Sequence, residues 1–316
     1  MVKVYGNKAT RFGFGEALVE LGKKDEKIFV LGADTVSSVA INGFQNAFPE
    51  RFANVGIAES NLLGIASGLA LAGFIPFVAT YGVFASGRPW EQIRTTICYS
   101  NLNVKIGGSH SGLMVGPDGA THQALEEIAI MRCLPKMTVI SPCDVIETKK
   151  ATIAGAYIKG PVYIRYGREN IPIITEEQTP FEIGKAQTLK EGKDVCIMAT
   201  GTMVYEALMA SEILEKEGIK AKVLNIHTIK PIDEKAIIDC AKECGAIVTA
   251  EEHQIFGGFG SAVAEVVVRN MPVPMEFIGM NDCFGESGNP ADLMAKYGLK
   301  DVNIVKAVKK VLSRKA

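Results

Sequence analysis

The stretch NVGIAESN, residues 54–61, places a single carboxylate at the junction between an apolar, strand-like segment and a long uncharged helix. That carboxylate belongs to Glu59, and no charged residue follows it until Arg88. A carboxylate surrounded by apolar groups is costly to ionise, and packing alone gives no reason for a glutamate there. A buried glutamate that accepts hydrogen bonds from backbone amides at a helix N-terminus is the structural alternative. Glu59 is therefore the first candidate site residue.

The composition is that of a globular protein large enough for two domains. The chain has 316 residues, of which 47% are hydrophobic and 22% charged, with a net charge of −1. Because there is no basic block, nucleic acid is not expected as a partner. The seven cysteines are scattered, and none forms a CxxC pair or lies at zinc spacing from a histidine, which indicates reduced thiols in a cytoplasmic protein. The N-terminus has no apolar core of the signal-peptide type.

One uncharged segment, residues 60–87, is long enough in principle to cross a bilayer. Gly73 and Pro76 divide it into a helix of about 13 residues, about 20 Å long, and a β-rich strand at residues 76–84. Neither half is long enough to span, so the sequence predicts a buried helix-turn-strand and no membrane partner. Small residues along the helix let another backbone approach closely, which predicts self-association through this part of the chain.

Strands and helices alternate along the chain. In the first half, strands are predicted at residues 27–32, 102–107, 137–140 and 161–165, with a helix at 121–132. Residues 170–191, which contain Pro172 and Pro180, interrupt the pattern and are the best domain boundary. Beyond them, strands are predicted at 195–200, 222–225 and 247–250, with helices at 203–217 and from about residue 260. We therefore predict an α/β fold of two domains, residues 1–175 and 185–316, each with a mostly parallel sheet covered by helices.

Two of the four histidines lie in one glycine-rich loop, GSHSGLMVGPDGATHQ, residues 108–123. Its glycines allow the backbone to approach a ligand closely, and a helix beginning at about Thr121 would present amides that favour an anion or a polar ligand. His110, Asp118 and His122 are suited to binding hydroxyls and moving protons. The alternative is a turn in which Asp118 caps the helix and both histidines face solvent. The spacing fits no zinc motif, so no metal ligand is predicted in this chain.

Both stretches resemble segments of thiamine diphosphate enzymes of the transketolase family. Residues 54–61 resemble the segment that activates the cofactor, and the loop resembles a run ending in Asp-Gly-Pro-Thr-His-Gln, with Ala120 in place of the proline. The resemblance implies a pyrimidine-binding domain followed by a transketolase C-terminal domain. It also implies that Glu59 hydrogen-bonds the aminopyrimidine ring of thiamine diphosphate and exchanges a proton with it.

The same resemblance assigns roles to the histidine loop. His110 contacts the phosphate end of the substrate, while Asp118 and His122 face the substrate hydroxyls and the cofactor amino group. The catalytic residues that the resemblance implies are Glu59, His110 and His122. His122 thereby also becomes a cofactor-binding residue, and His110 and Asp118 become substrate-binding residues.

Three further segments resemble cofactor- and phosphate-binding parts of the family. GADTVSS, residues 32–38, implies that Asp34 lies near the cofactor and Ser38 near the substrate phosphate. ATR, which ends at Arg11, and RYGREN, which contains Arg168, resemble segments that supply two phosphate-binding arginines. The planar fork of an arginine can hold a phosphate through two donors. Without the other matches, Arg168 would be interpreted as a surface arginine at a domain linker.

The family also stacks an aromatic ring on the cofactor pyrimidine. Here Phe84 is the preferred residue and Tyr81 the second, although the run FASGRPWEQ, residues 84–92, is shifted by one residue against the family pattern. Core packing is the alternative for either ring. Three segments resemble the family's C-terminal domain, which mostly builds the dimer, and the two histidines there are assigned no chemistry; the segments are residues 225–233, 250–253 and 257–260.

The chain also lacks a segment that a complete transketolase contains. A complete transketolase holds the cofactor diphosphate through Mg²⁺ bound to a Gly-Asp-Gly…Asn segment, and this chain contains no Gly-Asp-Gly. The resemblance therefore implies the C-terminal subunit of a split transketolase of the pentose phosphate pathway, which transfers a two-carbon ketol unit between sugar phosphates. A separate N-terminal subunit would hold the diphosphate and Mg²⁺. Two copies of each chain would form a heterotetramer, joined partly through the pyrimidine domain.

Three other interpretations remain open. The β subunit of a 2-oxoacid dehydrogenase E1 component has the same two domains, but the loop at 118–123 and the pair Arg11 and Arg168 favour sugar phosphates. A 1-deoxyxylulose-5-phosphate synthase shares the motifs but is expected to be one long chain. A non-catalytic scaffold homologue has no physical need for the glutamate or for the histidine loop.

Overall fold

Alternating strands and helices build two large sheets and one small two-stranded sheet, residues 7–9 paired with 170–172, in the computed structural model, which describes residues 2–315. The strands are β1 Asn7–Ala9, β2 Ile28–Gly32, β3 Phe52–Asn54, β4 Ile75–Tyr81, β5 Lys105–Ser109, β6 Thr138–Ile140, β7 Val162–Arg165, β8 Asn170–Pro172, β9 Gln187–Lys190, β10 Val195–Ala199, β11 Ala221–Asn225, β12 Thr228–Lys230, β13 Ile247–Gln254 and β14 Met275–Met280. The helices are α1 Thr10–Lys24, α2 Asn42–Ala47, α3 Glu59–Leu71, α4 Gly82–Gly87, α5 Trp90–Gln92, α6 Glu127–Arg132, α7 Val145–Ala156, α8 Met203–Lys216, α9 Glu234–Cys244, α10 Phe259–Asn270, α11 Pro290–Lys296 and α12 Asp301–Leu312.

The first sheet has the strand order β12-β6-β7-β5-β4-β2-β3 and is parallel except for β12. Every residue of its central strands β5 and β7 is buried, so these strands need helices on both faces, as the alternation predicts. The second sheet, β14-β13-β10-β11-β9, is parallel except for β9. The predicted α/β fold with mostly parallel sheets is therefore confirmed.

The first sheet brings four predicted site residues to one edge. Strands β7, β5, β4 and β2 are parallel neighbours, so their carboxyl ends lie side by side. Asp34 follows β2, Tyr81 ends β4, His110 follows β5 and Arg168 follows β7. The carboxyl edge of a parallel sheet is the usual place for a ligand site in α/β proteins. Residues that are far apart in the sequence thereby become neighbours.

The two halves of the chain share part of their structure. Strand β12 belongs to the predicted second domain, yet Thr228 pairs with Ile140 of β6 in the first sheet. One hydrophobic cluster also contains side chains from both sheets, among them Val139 and Cys196. The domain limits of residues 1–175 and 185–316 stay predictions, since a strand crosses from one half to the other.

One predicted helix begins later than its sequence indicates. The helix expected over residues 121–132 starts only at Glu127. Residues 120–122 form a turn, and Ala124 is held in an isolated β-bridge with Ser111. No helix therefore begins near Thr121, and the predicted helix N-terminus for an anion is absent from this loop.

The uncharged segment at residues 60–87 forms most of α3 together with β4 and α4. Helix α3 has 13 residues, as predicted, but the strand predicted to run to residue 84 ends at Tyr81, where α4 follows it. Within residues 2–315, no helix combines the length and the apolar character needed to cross a membrane. All seven cysteines are free thiols, and five of them are buried.

Candidate active site

Glu59 is the first residue of α3, and its side chain is only 4% exposed. Its two carboxylate oxygens accept hydrogen bonds from Arg88 Nη1 at 2.9 and 3.0 Å. The sequence indicated a lone carboxylate, and the structure corrects this, because the next charged residue along the chain folds back as its partner. The Arg88 side chain is 49% exposed, so the ion pair can open on the solvent side without disturbing the core.

The guanidinium of Arg88 also lies over the ring of Phe84, with Cζ 4.0 Å from the ring centroid. Phe84 meets the ring of His122 edge-on, with 5.2 Å between centroids. A planar group that stacks on Phe84 can therefore donate hydrogen bonds to Glu59 at the same time, as the guanidinium does. An aminopyrimidine ring is likewise planar, and a ring nitrogen on its edge can share a proton with a carboxylate. The residues present thus fit the pyrimidine end of thiamine diphosphate, and Arg88 stands in for it.

Tyr81, the second aromatic candidate, has a different set of contacts. Its ring stacks on His110 with 4.2 Å between centroids, and its hydroxyl shares a hydrogen bond of 2.9 Å with Ser38 Oγ. Ser38 Oγ also lies 3.3 Å from His110 Nε2, while Ser109 Oγ lies 2.8 Å from Nδ1 of the same ring. Phe84 is therefore the aromatic beside Glu59, and Tyr81 is the aromatic beside the residues predicted to bind phosphate.

His110 is buried, which excludes the alternative in which it faces solvent. Burial, followed by the positive charges of Arg11 and Arg168 and by His122, lowers the pKa of His110 to about 3. The imidazole is therefore neutral at physiological pH and offers one donor and one acceptor. His110 also has a positive φ of 55°, as Asp34 does at 56°. A backbone conformation with positive φ is uncommon in residues other than glycine and is concentrated at functional sites.

Arg11 and Arg168 supply positive charge near His110. Arg11 Nη1 donates to the carbonyl of Ser38 at 3.1 Å, but its buried Nε has no hydrogen-bond partner among residues 2–315. Arg168 Nη1 donates to Asp118 Oδ1 and to the carbonyl of Val115, both at 3.2 Å. Burial and the neighbouring Arg168 lower the pKa of Arg11, so the two cations repel each other. An anion such as a phosphate would relieve this repulsion and could bond the unsatisfied donor.

Asp34, Ser38 and Tyr81 line a cleft of about 440 Å³. Asn54 borders the same cleft and fixes Asp34 through two hydrogen bonds: its Oδ1 accepts from the Asp34 amide at 2.9 Å, and its Nδ2 donates to Asp34 Oδ1 at 2.7 Å. The sequence reasoning missed both Asn54 and Arg88. Asn54 is the first residue of the stretch that contains Glu59, so its position was the available signal.

The structure brings the predicted site residues together. Contacts join Glu59 through Arg88 and Phe84 to His122, and Phe84 also stacks on Tyr81, which stacks on His110. The remaining residues contact these or one another, or line the same cleft. The residues concerned are Arg11, Asp34, Ser38, Glu59, Tyr81, Phe84, His110, Asp118, His122 and Arg168. Their individual roles stay predictions. Among residues 2–315, no group of three or more His, Cys, Asp or Glu side chains is arranged to hold a metal ion.

The sequence matches two domains of one family. Residues 7–173 match the transketolase pyrimidine binding domain, and residues 184–304 match the transketolase C-terminal domain. The putative transketolase C-terminal section of Methanocaldococcus jannaschii is 48% identical over 312 residues, which cover 98% of each chain. The 6-deoxy-6-sulfo-D-fructose transketolase subunit of Clostridium sp. strain MSTE9 is 43% identical over 300 residues, or 95% of this chain and 93% of that one.

A solved structure agrees with these relatives. It is described as a split-gene transketolase in an inactive β4 tetramer, is 49% identical to this chain and has a TM-score of 0.92. The match covers 98% of this chain and 99% of the solved one. The resemblance inferred from Glu59 and the histidine loop is thereby confirmed, and the chain belongs to the transketolase family, with that family's pyrimidine-binding and C-terminal domains.

Proposed function

We propose that this chain is the C-terminal subunit of a split transketolase, which transfers a two-carbon ketol unit from a ketose phosphate to an aldose phosphate. Its proposed cofactor is thiamine diphosphate, with the pyrimidine end in this chain and the diphosphate and Mg²⁺ in a separate N-terminal subunit. The placement of Glu59 and Phe84 carries the proposal, because together they hold the planar guanidinium of Arg88 as they would hold an aminopyrimidine.

Glu59 would exchange a proton with a ring nitrogen of the aminopyrimidine once Arg88 has released its carboxylate. When bound, thiamine diphosphate supplies a nucleophilic carbon that carries the two-carbon unit. The carboxylate is 4% exposed, so water screens its interactions weakly and its hydrogen bond to a ligand is strong. His122 touches the edge of Phe84 and is therefore within reach of a polar group on a ring stacked there.

The other end of the site favours a phosphorylated substrate. Arg11 has an unsatisfied donor, and Arg168 lies close enough to repel it. Neutral His110 and the Ser38 hydroxyl add donors that carry no negative charge. Such a set of donors suits a phosphate dianion better than the carboxylate of pyruvate, because a phosphate has more oxygens to accept hydrogen bonds. This supports sugar phosphates over a 2-oxoacid.

A partner subunit is part of the proposal. The similar protein from M. jannaschii is described as a C-terminal section, and the similar solved assembly as an inactive β4 tetramer. Helix α3 presents an exposed face in which Gly64 and Gly68 have open space beside them and Leu71 is 74% exposed. That face is suited to contact another chain closely. We propose two copies of this chain and two of the N-terminal subunit.

Reconstitution tests the proposed function directly. The purified chain is expected to bind thiamine diphosphate weakly in a calorimetric titration, with or without Mg²⁺, and to show no ketol transfer. After addition of a chain of similar length that carries a Gly-Asp-Gly…Asn segment and is encoded beside it, binding should become tight and Mg²⁺-dependent. The mixture should then convert xylulose 5-phosphate and ribose 5-phosphate.

Two outcomes would contradict the proposal. Tight, Mg²⁺-dependent binding by the isolated chain would place the diphosphate site in this chain and remove the need for a partner. Activity on pyruvate with a lipoyl acceptor, without activity on the two sugar phosphates, would instead favour the E1 β subunit.

Replacing Arg168 by alanine is expected to weaken substrate binding in the assembled enzyme. Loss of a charge-assisted hydrogen bond to phosphate should raise KM by about 10- to 100-fold, or about 1.5–3 kcal/mol. The value of kcat should change little, provided the phosphate is held equally in the ground and transition states. Steady-state kinetics with phosphorylated and unphosphorylated ketoses would measure the effect.

Arg168→Lys and Arg132→Ala are the matched controls. The lysine keeps the charge but loses the planar fork, so an intermediate KM is expected. Arg132 pairs with Glu265 at 2.8 Å on another part of the surface, and its loss should leave the preference for phosphate unchanged. An Arg168→Ala enzyme that still discriminates the two ketoses as well as wild type would remove Arg168 from the phosphate site.

A further inference from the structure

The loop that carries Asp118 and His122 is held by the C-terminal half of the chain. Glu252, a buried residue of β13, accepts a hydrogen bond from the Met114 amide through Oε1 at 2.7 Å. Gln123, at the other end of the loop, donates from Nε2 to the carbonyl of Glu286 at 3.0 Å. The loop between these two anchors is residues 114–123, and both anchors come from the second half of the sequence.

The glycines of the loop make this close approach possible. At Gly112, where φ is +90°, a Cβ atom would lie 2.3 Å from Glu252 Oε1. At Gly119, where φ is +75°, it would lie 2.4 Å from Ser287 Oγ. The sequence indicated that these glycines let the backbone approach a ligand. In the structure, they let the C-terminal half approach the loop.

Glu252 is itself fixed in a buried network. Its side chain is 2% exposed, and its Oε2 accepts a hydrogen bond of 2.7 Å from Thr202 Oγ1. Arg165 Nη2 donates to the carbonyl of Glu252 at 2.7 Å, and Arg165 in turn is paired with Glu127. Burial raises the pKa of Glu252, and the nearby charge of Arg165 opposes this. Both carboxylate oxygens therefore have a partner and little freedom to move.

We propose that Glu252 is a positioning residue for the active site: its bond to the Met114 amide holds the loop of residues 114–123 and thereby places Asp118 and His122 against the substrate. The proposal rests on the proposed function for the roles of Asp118 and His122, but the hydrogen bond between Glu252 and the Met114 amide is a property of this chain alone. It gives the C-terminal half a direct effect on substrate binding in addition to any part in assembly.

Hydrogen exchange of the isolated chain tests whether Glu252 holds the loop of residues 114–123 in place. In Glu252→Ala, the amides of residues 114–123 should exchange about 10- to 100-fold faster than in wild type, because a charge-assisted bond is lost. Glu252→Gln keeps an acceptor but not the charge, so a smaller, few-fold increase is expected. Thr202→Val leaves the Met114 bond in place and should leave the loop protected.

Glu251→Gln is the matched control, because Glu251 is an equally buried glutamate beside Glu252. Its carboxylate accepts from the amides of Phe259 and Gly260 at 2.6 and 2.7 Å, so its replacement should loosen the start of α10 and not the loop. Equal loop exchange in wild type, Glu252→Ala and Glu252→Gln would overturn the proposal. If Glu252→Ala does not fold, the comparison of Glu252→Gln with Glu251→Gln decides alone.

Kinetics of the assembled enzyme separate positioning from general stability. Glu252→Gln should raise KM for xylulose 5-phosphate several-fold more than Glu251→Gln does, with a smaller change in kcat. A purely structural role would change the melting temperature in both variants but not KM, and that result would also overturn the proposal. If the assembly transfers no ketol unit at all, the proposed function is wrong. Hydrogen exchange of the isolated chain still reports whether Glu252 holds the loop of residues 114–123.

Discussion

Replacing Glu59 by glutamine should lower the turnover of the assembled enzyme by about 10²–10⁴-fold, or roughly 3–5 kcal/mol in the barrier. Glutamine keeps the shape of the side chain and an acceptor oxygen, but it cannot exchange a proton with the aminopyrimidine. The loss should appear in kcat, because the step is chemical, and binding of thiamine diphosphate should weaken less than turnover. Steady-state assays of ketol transfer would measure kcat, and a calorimetric titration would measure the affinity for thiamine diphosphate.

Glu147→Gln provides a closely matched control. Glu147 is also a buried glutamate in the first turn of a helix, with 3% exposure, and burial raises its pKa to about 7. It contacts Asn225 and the Cys143 amide, not the site residues, so its replacement should leave turnover close to wild type. Undiminished turnover of the Glu59→Gln enzyme would remove Glu59 from the chemistry.

Replacing Arg165 by methionine should lower the free energy of unfolding by about 3–5 kcal/mol, since it leaves a buried charge without its partner. Arg165 is 5% exposed, and its Nε donates to Oε1 of Glu127 at 2.5 Å. Burial raises the pKa of Glu127, and the positive charge of Arg165 is the main opposing effect. Without Arg165, folding must either bury an ionised Glu127 or protonate it. Urea denaturation by linear extrapolation would measure the loss.

A second substitution distinguishes a lost partner from lost packing. Arg165→Met combined with Glu127→Leu removes both charges and should recover most of the stability, since apolar replacements of buried ion pairs are often tolerated. Arg314→Met is the exposed control: its pair with Glu276 lies at the surface, with Arg314 50% exposed, and the expected loss is below about 1 kcal/mol. A loss below about 1 kcal/mol in Arg165→Met would show that the buried pair contributes little.

Much of the fold and of the candidate site could be predicted from the sequence because the relevant signals are local. The apolar segments that form β2 and β7 are short and bounded by turns. Because such segments alternate with helical ones along the chain, the sequence predicts a parallel sheet. A parallel sheet in turn places strand ends together, which explains why Asp34, Tyr81 and His110 meet. The family resemblance added the roles that alternation cannot supply.

The features that sequence reasoning missed all depend on tertiary contacts. Arg88 is 29 residues from Glu59, and only the turn of the chain through β4 and α4 brings them together. Helix α6 starts later than predicted, because residues 120–122 form a turn and Ala124 pairs with Ser111. Strand β12 has three residues, too few for any alternation to show. In each case, the structure depends on a contact with a residue elsewhere in the fold.

The ion pair between Arg88 and Glu59 has a consequence for the isolated chain, if its site is completed by a separate subunit as proposed. A subunit synthesised apart from the other half of its site would otherwise carry an uncompensated carboxylate beside an uncovered aromatic ring, which invites non-specific adhesion. Here one arginine neutralises the carboxylate and shields the ring of Phe84. The pyrimidine end of the site is thus neutralised in the isolated chain, and in the proposed assembly thiamine diphosphate would replace the guanidinium of Arg88 beside Glu59 and Phe84.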